Sequence, residues 1–258
     1  MNYEEILFVA TLLTGIIVLL NAVYLKPKRV RVNEDNLKEN ILVEYSQILF
    51  PLLLLVFFLR SFVAEPFRIP SGSMKPTLLV GDFILVNKYN YGLRMPISGT
   101  KFFKIGDPKQ GDVIVFRLRK DRKILIKRIV ALPGDHVLYR DKNLYINGRE
   151  IDLRNGKISY DGLITAFEHK EHFNEKTHSI FTYPDYPKRD YRYNNIIVPE
   201  NTYFVLGDNR DNSQDSRFFG VVNDHDIIGK AVITWLSLDW NIGFDINVRW
   251  KRVFQKIQ

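Results

Sequence analysis

The chain of 258 residues has no cysteine, which excludes a disulfide scaffold, a thiolate zinc site and an iron–sulfur protein. No Lys or Arg precedes its first long apolar run, where the residues are Met-Asn-Tyr-Glu-Glu. A cleavable secretory leader would open on a basic stretch, so that reading is disfavoured. Internal repeats and low-complexity tracts are missing, and with 46% hydrophobic residues a disordered tail or a collagen-like array is excluded as well. Histidine is scarce, at five residues. His169, His172 and His178 stand among Glu168, Glu171 and Glu175, but the spacing fits no tight metal-ligand motif and an exposed polar loop accounts for it.

What is present is unevenly spread. From Ile6 to Leu25 twenty residues carry no charge. At about 1.5 Å rise per residue they reach roughly 30 Å, the thickness of a bilayer's hydrocarbon core. A transmembrane helix is predicted at 6–25. A second, at 48–64, holds Pro51, Arg60 and Ser61, yet Leu52–Leu59 is wholly apolar. Arg60 lies near one end, where its long stem reaches the headgroups. The segment 26–47 between them carries Lys26, Lys28, Arg29, Arg31 and Lys38, against no basic residue in the tail 1–5. The positive-inside rule keeps that loop cytoplasmic and sends both the tail and everything after residue 64 outside. Residues 67–135 carry +9, against +8 for the whole chain. In an exported region it fits an anionic membrane surface, and no nucleic-acid partner is expected.

Beyond residue 64, short strand-like runs alternate with Gly, Pro, Asn and Asp: Phe83–Val86, Val113–Arg117, Ile124–Val130, Val137–Tyr139, Leu144–Ile146, Ile196–Val198, Tyr203–Leu206 and Ala231–Leu236. This spacing predicts a mainly β extracytoplasmic domain. Asn147-Gly148 reads as a tight hairpin turn. Residues 136–199 are nearly charge-balanced and rich in tyrosine, and are expected to form a smaller, inserted β subdomain between the two parts, 65–135 and 200–258, of the larger one.

Three runs bear on chemistry. Pro70-Ser71-Gly72-Ser73-Met74-Lys75-Pro76-Thr77-Leu78 follows the second span, and in isolation it reads equally well as a linker. The others are Ile126–Asp135 and Gly207–Arg217, the latter with two Arg and three Asp within a turn-rich stretch. A serine nucleophile needs a base. There is no Gly-x-Ser-x-Gly elbow, no Ser-x-x-Lys pattern at Lys75, and no histidine in a suggestive context. A lysine serves if burial disfavours its charged form. Lys127 alternates with Leu125 and Ile129 on one strand face, whereas Lys75 and Lys88 have turn or polar neighbours. A strand lysine facing solvent stays equally open on this ground.

Together, the two spans and the ordered runs Ser-Gly-Ser-Met, Lys-Arg and Gly-Asp-Asn-Arg-Asp-Asn-Ser, with Gly111–Phe116, resemble the bacterial type I signal peptidases (leader peptidases). These are membrane-anchored Ser–Lys endopeptidases that remove signal peptides from exported preproteins. The resemblance implies Ser73 as nucleophile and Lys127 as general base. It implies an oxyanion hole from the Ser71 hydroxyl and the Ser73 N–H, and Ser213 orienting the lysine. Asp208, Arg210, Asp215 and Arg217 would be ion pairs supporting the turn that carries Ser213, while Lys75 falls where the family does not demand a lysine. It further implies cleavage after small-x-small, an extended substrate beside the residues preceding the nucleophile, no metal and no cofactor. Expected partners are signal peptides and the phospholipid bilayer, with the protein a monomer in the bacterial inner membrane and its catalytic domain on the periplasmic side. A self-cleaving Ser–Lys repressor would lack the spans, and an inactive β module that only binds exported chains would not need the dyad.

Overall fold

In a computed structural model, the structure describes residues 3–27, 40–96, 98–119, 123–162, 164–173, 176–184, 186, 191–240 and 246–258. Lys28, Arg29, Arg31 and Lys38 of the basic loop, Lys120 and Arg122 of the basic surplus, Glu175, and the side chain of Trp240 lie outside them. Contacts divide the chain into two units, Met1–Ala64 with Arg94–Thr100, and Glu65–Leu93 with Lys101–Gln258.

The first unit contains two helices long and apolar enough to cross a membrane, Glu5–Leu25 and Ile41–Val63. Helix α1 (Tyr3–Leu20) continues through a π-helical turn at Asn21–Leu25, and α2 (Ile41–Phe58) through another at Leu59–Val63. The second helix begins at Ile41, ahead of the apolar run, because Asn40 caps it: its side chain accepts from the Leu42 N–H at 3.0 Å. Gly15 lets the helices approach, since a Cβ there would come within 2.7 Å of the Phe50 ring. Leu13, Leu19, Leu52 and Leu55 remain exposed on the outer faces, as side chains bound for lipid would. The Arg60 guanidinium sits 4.4 Å above the Tyr3 ring, and an aromatic at that depth is the company expected of an arginine near a headgroup region.

The second unit is built of strands. They run β1 (Ala64–Arg68), β2 (Asp82–Asn87), β3 (Leu93–Arg94), β4 (Lys101–Phe103), β5 (Val113–Arg117) and β6 (Ile124–Ala131). Next come β7 (His136–Arg140), β8 (Asn143–Ile146), β9 (Arg149–Glu150), β10 (Leu153–Asp161), β11 (Ile164–Phe173), β12 (Lys176–Thr182) and β13 (Asn195–Ile197). The chain closes with β14 (Thr202–Leu206), β15 (Val222–Asn223), β16 (Ile227–Trp240), β17 (Ile246–Val248) and β18 (Gln255–Lys256). The largest sheet has the order β1-β2-β16-β5-β6-β14-β15, with β17 and β18 also pairing β16. Residues 136–199 contribute two further sheets, β13-β7-β8-β9 and β10-β11-β12.

The runs read from alternation coincide with β2, β5 to β8, β13, β14 and β16. Asn147 and Gly148 turn between β8 and β9 with φ of 53° and 76°, the positive pair that a two-residue hairpin requires. Strands β10 to β12 had no such signal, because β11 carries Glu-His-Lys-Glu-His and buries Glu171 where an apolar residue would have marked its inner face. The sheets of 136–199 pack on the main sheet, for Val137, Tyr139, Leu144, Ile146 and Phe173 share one core with Val130, Phe204 and Leu206.

Candidate active site

Strand β6 is buried from Ile126 to Ala131 because it runs between β5 and β14. On β5 its partner at Lys127 is Ile114. On the other side β14 pairs only as far as Arg128, opposite Leu206. There the chain leaves the sheet at Gly207, so one flank of β6 opens beside Lys127. Two non-strand segments come to this opening: the turn containing Ser73 and the loop 207–215. Ser73 is held by its neighbour, since Met74 is fully buried in the core cluster that contains Ile126, Val113 and Ile84.

The result is a direct contact. Lys127 Nζ lies 2.6 Å from Ser73 Oγ and donates to the Ile126 carbonyl at 2.9 Å. Lys127 is only 2% exposed. Burial pulls its ammonium down to about 8, partly opposed by Asp215 and Asp208 and assisted by the Arg217 charge. A buried lysine beside a serine hydroxyl is what an uncharged base and its nucleophile require.

The other residues singled out from sequence are placed as follows. Ser71 Oγ is 3.5 Å from Ser73 Oγ. Among the described residues the Ser73 N–H meets no backbone acceptor. Ser213 is buried, and its hydroxyl helps hold Asp215 acidic but makes no hydrogen bond of good geometry, to Lys127 or any other described group. Gly207 stands between Ser213 and Ser73: a Cβ built on it would lie 2.3 Å from Ser213 Oγ and 2.5 Å from the Ser73 carbonyl oxygen. Gly207→Ala is therefore expected to displace both serines and to destabilise by about 1–3 kcal/mol. A thermal melt of the variant beside the wild type checks the loss.

The charged residues of the loop form a buried lattice, but only one pair closes within the loop itself: Arg217 holds both Asp215 oxygens at 2.8 Å. The Arg217 guanidinium is stacked 4.6 Å from each of the Tyr139 and Tyr191 rings. Asp208 is instead gripped by Arg128, at 2.8 and 2.6 Å, and accepts from Thr77. Arg210 pairs with Glu171 of β11, whose carboxylate also lies 2.9 Å from His178 Nε2 on β12. Burial pushes Glu171 up, but Arg210 and His178 outweigh it and leave the carboxyl at about 2. Burial and the Arg128 charge depress His178.

Sequence reasoning missed Arg128, Gly207, Asn209 and Glu171. Arg128 adjoins Lys127 in a run already singled out. The Asn209 N–H and side-chain amide donate to the Ser73 and Gly72 carbonyls, each at 3.1 Å. Loop 207–215 is also stapled to β12, with Phe181 N–H donating to Asp208 O and Arg210 N–H to Phe181 O.

Comparison with known proteins bears directly on this arrangement. Residues 42–236 match the family described as signal peptidase, peptidase S26. The chain belongs to that family. The signal peptidase I of Pseudomonas fluorescens is 40% identical over 268 positions, covering 92% of this chain and 93% of that protein. The signal peptidase I of Pseudomonas aeruginosa is 42% identical over 270, with the same coverage. A solved signal peptidase I from Enterococcus faecalis shares 30% identity, covers 49% of this chain and 98% of that one, and superposes with a TM-score of 0.31. The family match spans Ser73, Lys127 and loop 207–217, so the serine–lysine contact lies within the part shared with signal peptidases.

Proposed function

We propose that this signal peptidase cleaves signal peptides from exported preproteins with Ser73 as nucleophile and Lys127 as general base. The observation that carries the reading is the 2.6 Å contact between Lys127 Nζ and Ser73 Oγ at a lysine lowered to about 8. Uncharged Lys127 accepts the hydroxyl proton as Ser73 Oγ attacks the scissile carbonyl carbon. The Ser73 N–H and the Ser71 hydroxyl receive the oxyanion where charge develops. As the C–N bond breaks, the Lys127 ammonium returns the proton to the leaving amine. Water, deprotonated by the same lysine, then hydrolyses the serine ester. Ser213, fixed beside Gly207, limits where the amine can point, and Asp208, Arg210, Asp215 and Arg217 hold the loop that carries it.

Substrate lies extended along β1 and the 124–127 stretch of β6, which β14 leaves unpaired, and main-chain pairing there gives affinity. Cleavage follows a small-x-small sequence. Helices Glu5–Leu25 and Ile41–Val63 anchor the protein in the inner membrane, with the segment between them cytoplasmic and the catalytic unit outside. Its basic surface, with Trp235 and Trp250, rests on anionic headgroups. Residues 136–199 act as a smaller subdomain inserted between the two catalytic parts, 65–135 and 200–258, and the working unit is a monomer.

The test is a preprotein bearing Ala-x-Ala before the junction, incubated with the purified chain in phospholipid, the new N-terminus being sequenced. Cleavage directly after the second Ala is expected. Replacing that Ala by Phe should slow it by about 100-fold or more, since a shallow pocket has no room for a ring. Equal rates for the two substrates would overturn the specificity.

A further inference from the structure

Lys75 has no part in the proposed chemistry, yet it stands two residues after Ser73. Its ammonium donates to Asp161 Oδ1 on the last residue of β10, at the tip of the β10–β11 hairpin. The other carboxylate oxygen, Oδ2, accepts from Tyr183 OH at 2.7 Å. That phenol oxygen accepts in turn from Asn209 Nδ2 at 3.0 Å. The same amide nitrogen donates to Gly72 O, and the Asn209 N–H to Ser73 O. The chain of bonds closes on itself, beginning on one side of the nucleophile at Lys75 and returning on the other at Gly72 and Ser73. The Lys75 stem crosses the turn as it goes, for a Cβ on Gly72 would lie 3.2 Å from Lys75 Cε and 3.3 Å from Cδ.

We propose that Asp161 and Lys75 form a positioning latch, by which the β10–β11 hairpin fixes the Ser71-Gly72-Ser73 turn in register with Lys127. The inference rests on the reading of Ser73 as nucleophile, and it gives the hairpin a part in catalysis. Ser73 belongs to no strand, so no backbone ladder sets the direction of its hydroxyl. Met74 anchors the turn from below, and the bonded ring supplies the restraint on its open side. Neither partner touches a reacting atom. An ion pair at the edge of the core, with side chains 25% and 15% exposed, adds a modest amount to folding stability. A small misplacement of a nucleophile, by contrast, costs a large factor in rate. Loss of the latch therefore shows far more in turnover than in the melting temperature.

The experiment compares the full chain in detergent with Lys75→Ala, Asp161→Ala, their double variant, Lys75→Arg, Asp161→Asn and Ser73→Ala on one preprotein. Each alanine variant is expected to lower kcat about tenfold with KM changed less than about twofold. The double variant should be no slower than either single one, because both remove the same restraint. Lys75→Arg keeps the donor and should recover most of the rate. Asp161→Asn keeps the Tyr183 bond while weakening the Lys75 one, and should fall between. Unchanged kcat in the single variants, or a double variant slowed by the product of the two effects, overturns the latch if Ser73→Ala is dead. Cleavage by Ser73→Ala would overturn the reading of Ser73 itself. Should an alanine variant misfold by circular dichroism, Lys75→Arg and Asp161→Asn carry the comparison, and wild-type kcat in Asp161→Asn overturns the latch on its own.

Discussion

Lys127→Met is expected to abolish processing and at the same time make the protein more stable. General-base catalysis is worth about 10²–10⁴-fold in rate, and methionine offers no proton acceptor, so cleavage should fall by at least about 1,000-fold. The stability gain follows from linkage. Folding lowers the Lys127 ammonium from 10.5 to about 8, so between those values the unfolded chain holds a proton that the folded chain has released. Stability therefore rises as the pH climbs from 8 to 10.5, and below 8 the folded state carries the full burden of a buried cation. Two and a half units correspond to about 3 kcal/mol. Part of this is offset by bonds to Ser73 and Ile126 that methionine cannot make, leaving an expected gain of about 1–3 kcal/mol at pH 7. Denaturant unfolding at pH 7 and pH 10 tests the sign: the advantage of Met should shrink at the higher pH. In the wild-type protein kcat/KM should fall tenfold per unit below about 8 and level off above it, since only the uncharged amine accepts a proton.

Asp208→Ala is expected to be the most damaging change for the fold outside the hydrophobic core. It leaves the Arg128 guanidinium, 1% exposed, without either of its carboxylate bonds. Removing one partner of a buried pair costs about 3–5 kcal/mol, because the remaining charge stays desolvated and uncompensated. In a protein of this size that corresponds to a fall in Tm on the order of 10 °C. Cleavage should fall too, since Asp208 joins Arg128, next to Lys127, to Thr77 on the segment that carries Ser73. Acid should mimic the substitution. Burial raises Asp208 and Asp215, but Arg128 and Arg217 outweigh it, so both carboxyls lie below their ordinary value, as does Glu171. A carboxylate lowered by folding contributes stability above its unfolded pKa and loses it as the pH falls toward the folded one. The wild-type protein should therefore lose stability steadily below about pH 4.5, toward the value of about 2 held by Glu171. The Asp208→Ala variant should lose less over the same interval, and a melt series across it distinguishes the two slopes.

The legibility of this molecule from its sequence follows the range of its interactions. Apolar helices, the Asn147-Gly148 turn and the alternating strands are local signals, and each appears in the structure where its pattern stands. Leu125 and Ile129 made Lys127 a candidate but left a solvent-facing lysine equally open, and the resemblance of the surrounding motifs singled it out. The start of α2 was hidden, because the cap at Asn40 lies outside the apolar run that draws attention. Arg210 reads as a loop arginine among aspartates, yet its partner is Glu171, on a strand whose polar spelling conceals a buried carboxylate. Lys75 and Asp161 stand 86 positions apart, and the pairing of β10 with β11 places Asp161 at a hairpin tip beside the Ser73 turn. Gly207 has no marker beyond being a glycine, since its role is the absence of a Cβ between two serines.

The central claim is that Ser73 forms an ester with the N-terminal product. Acid-quenched mixtures of the purified chain with a preprotein peptide, digested and weighed by mass spectrometry, test it directly. The Ser73 peptide should carry the mass of the N-terminal product less one water, more strongly at pH 8 than at pH 6, and Ser73→Ala should show neither adduct nor cleavage. An adduct on another residue, or cleavage by Ser73→Ala at the wild-type rate, would contradict it.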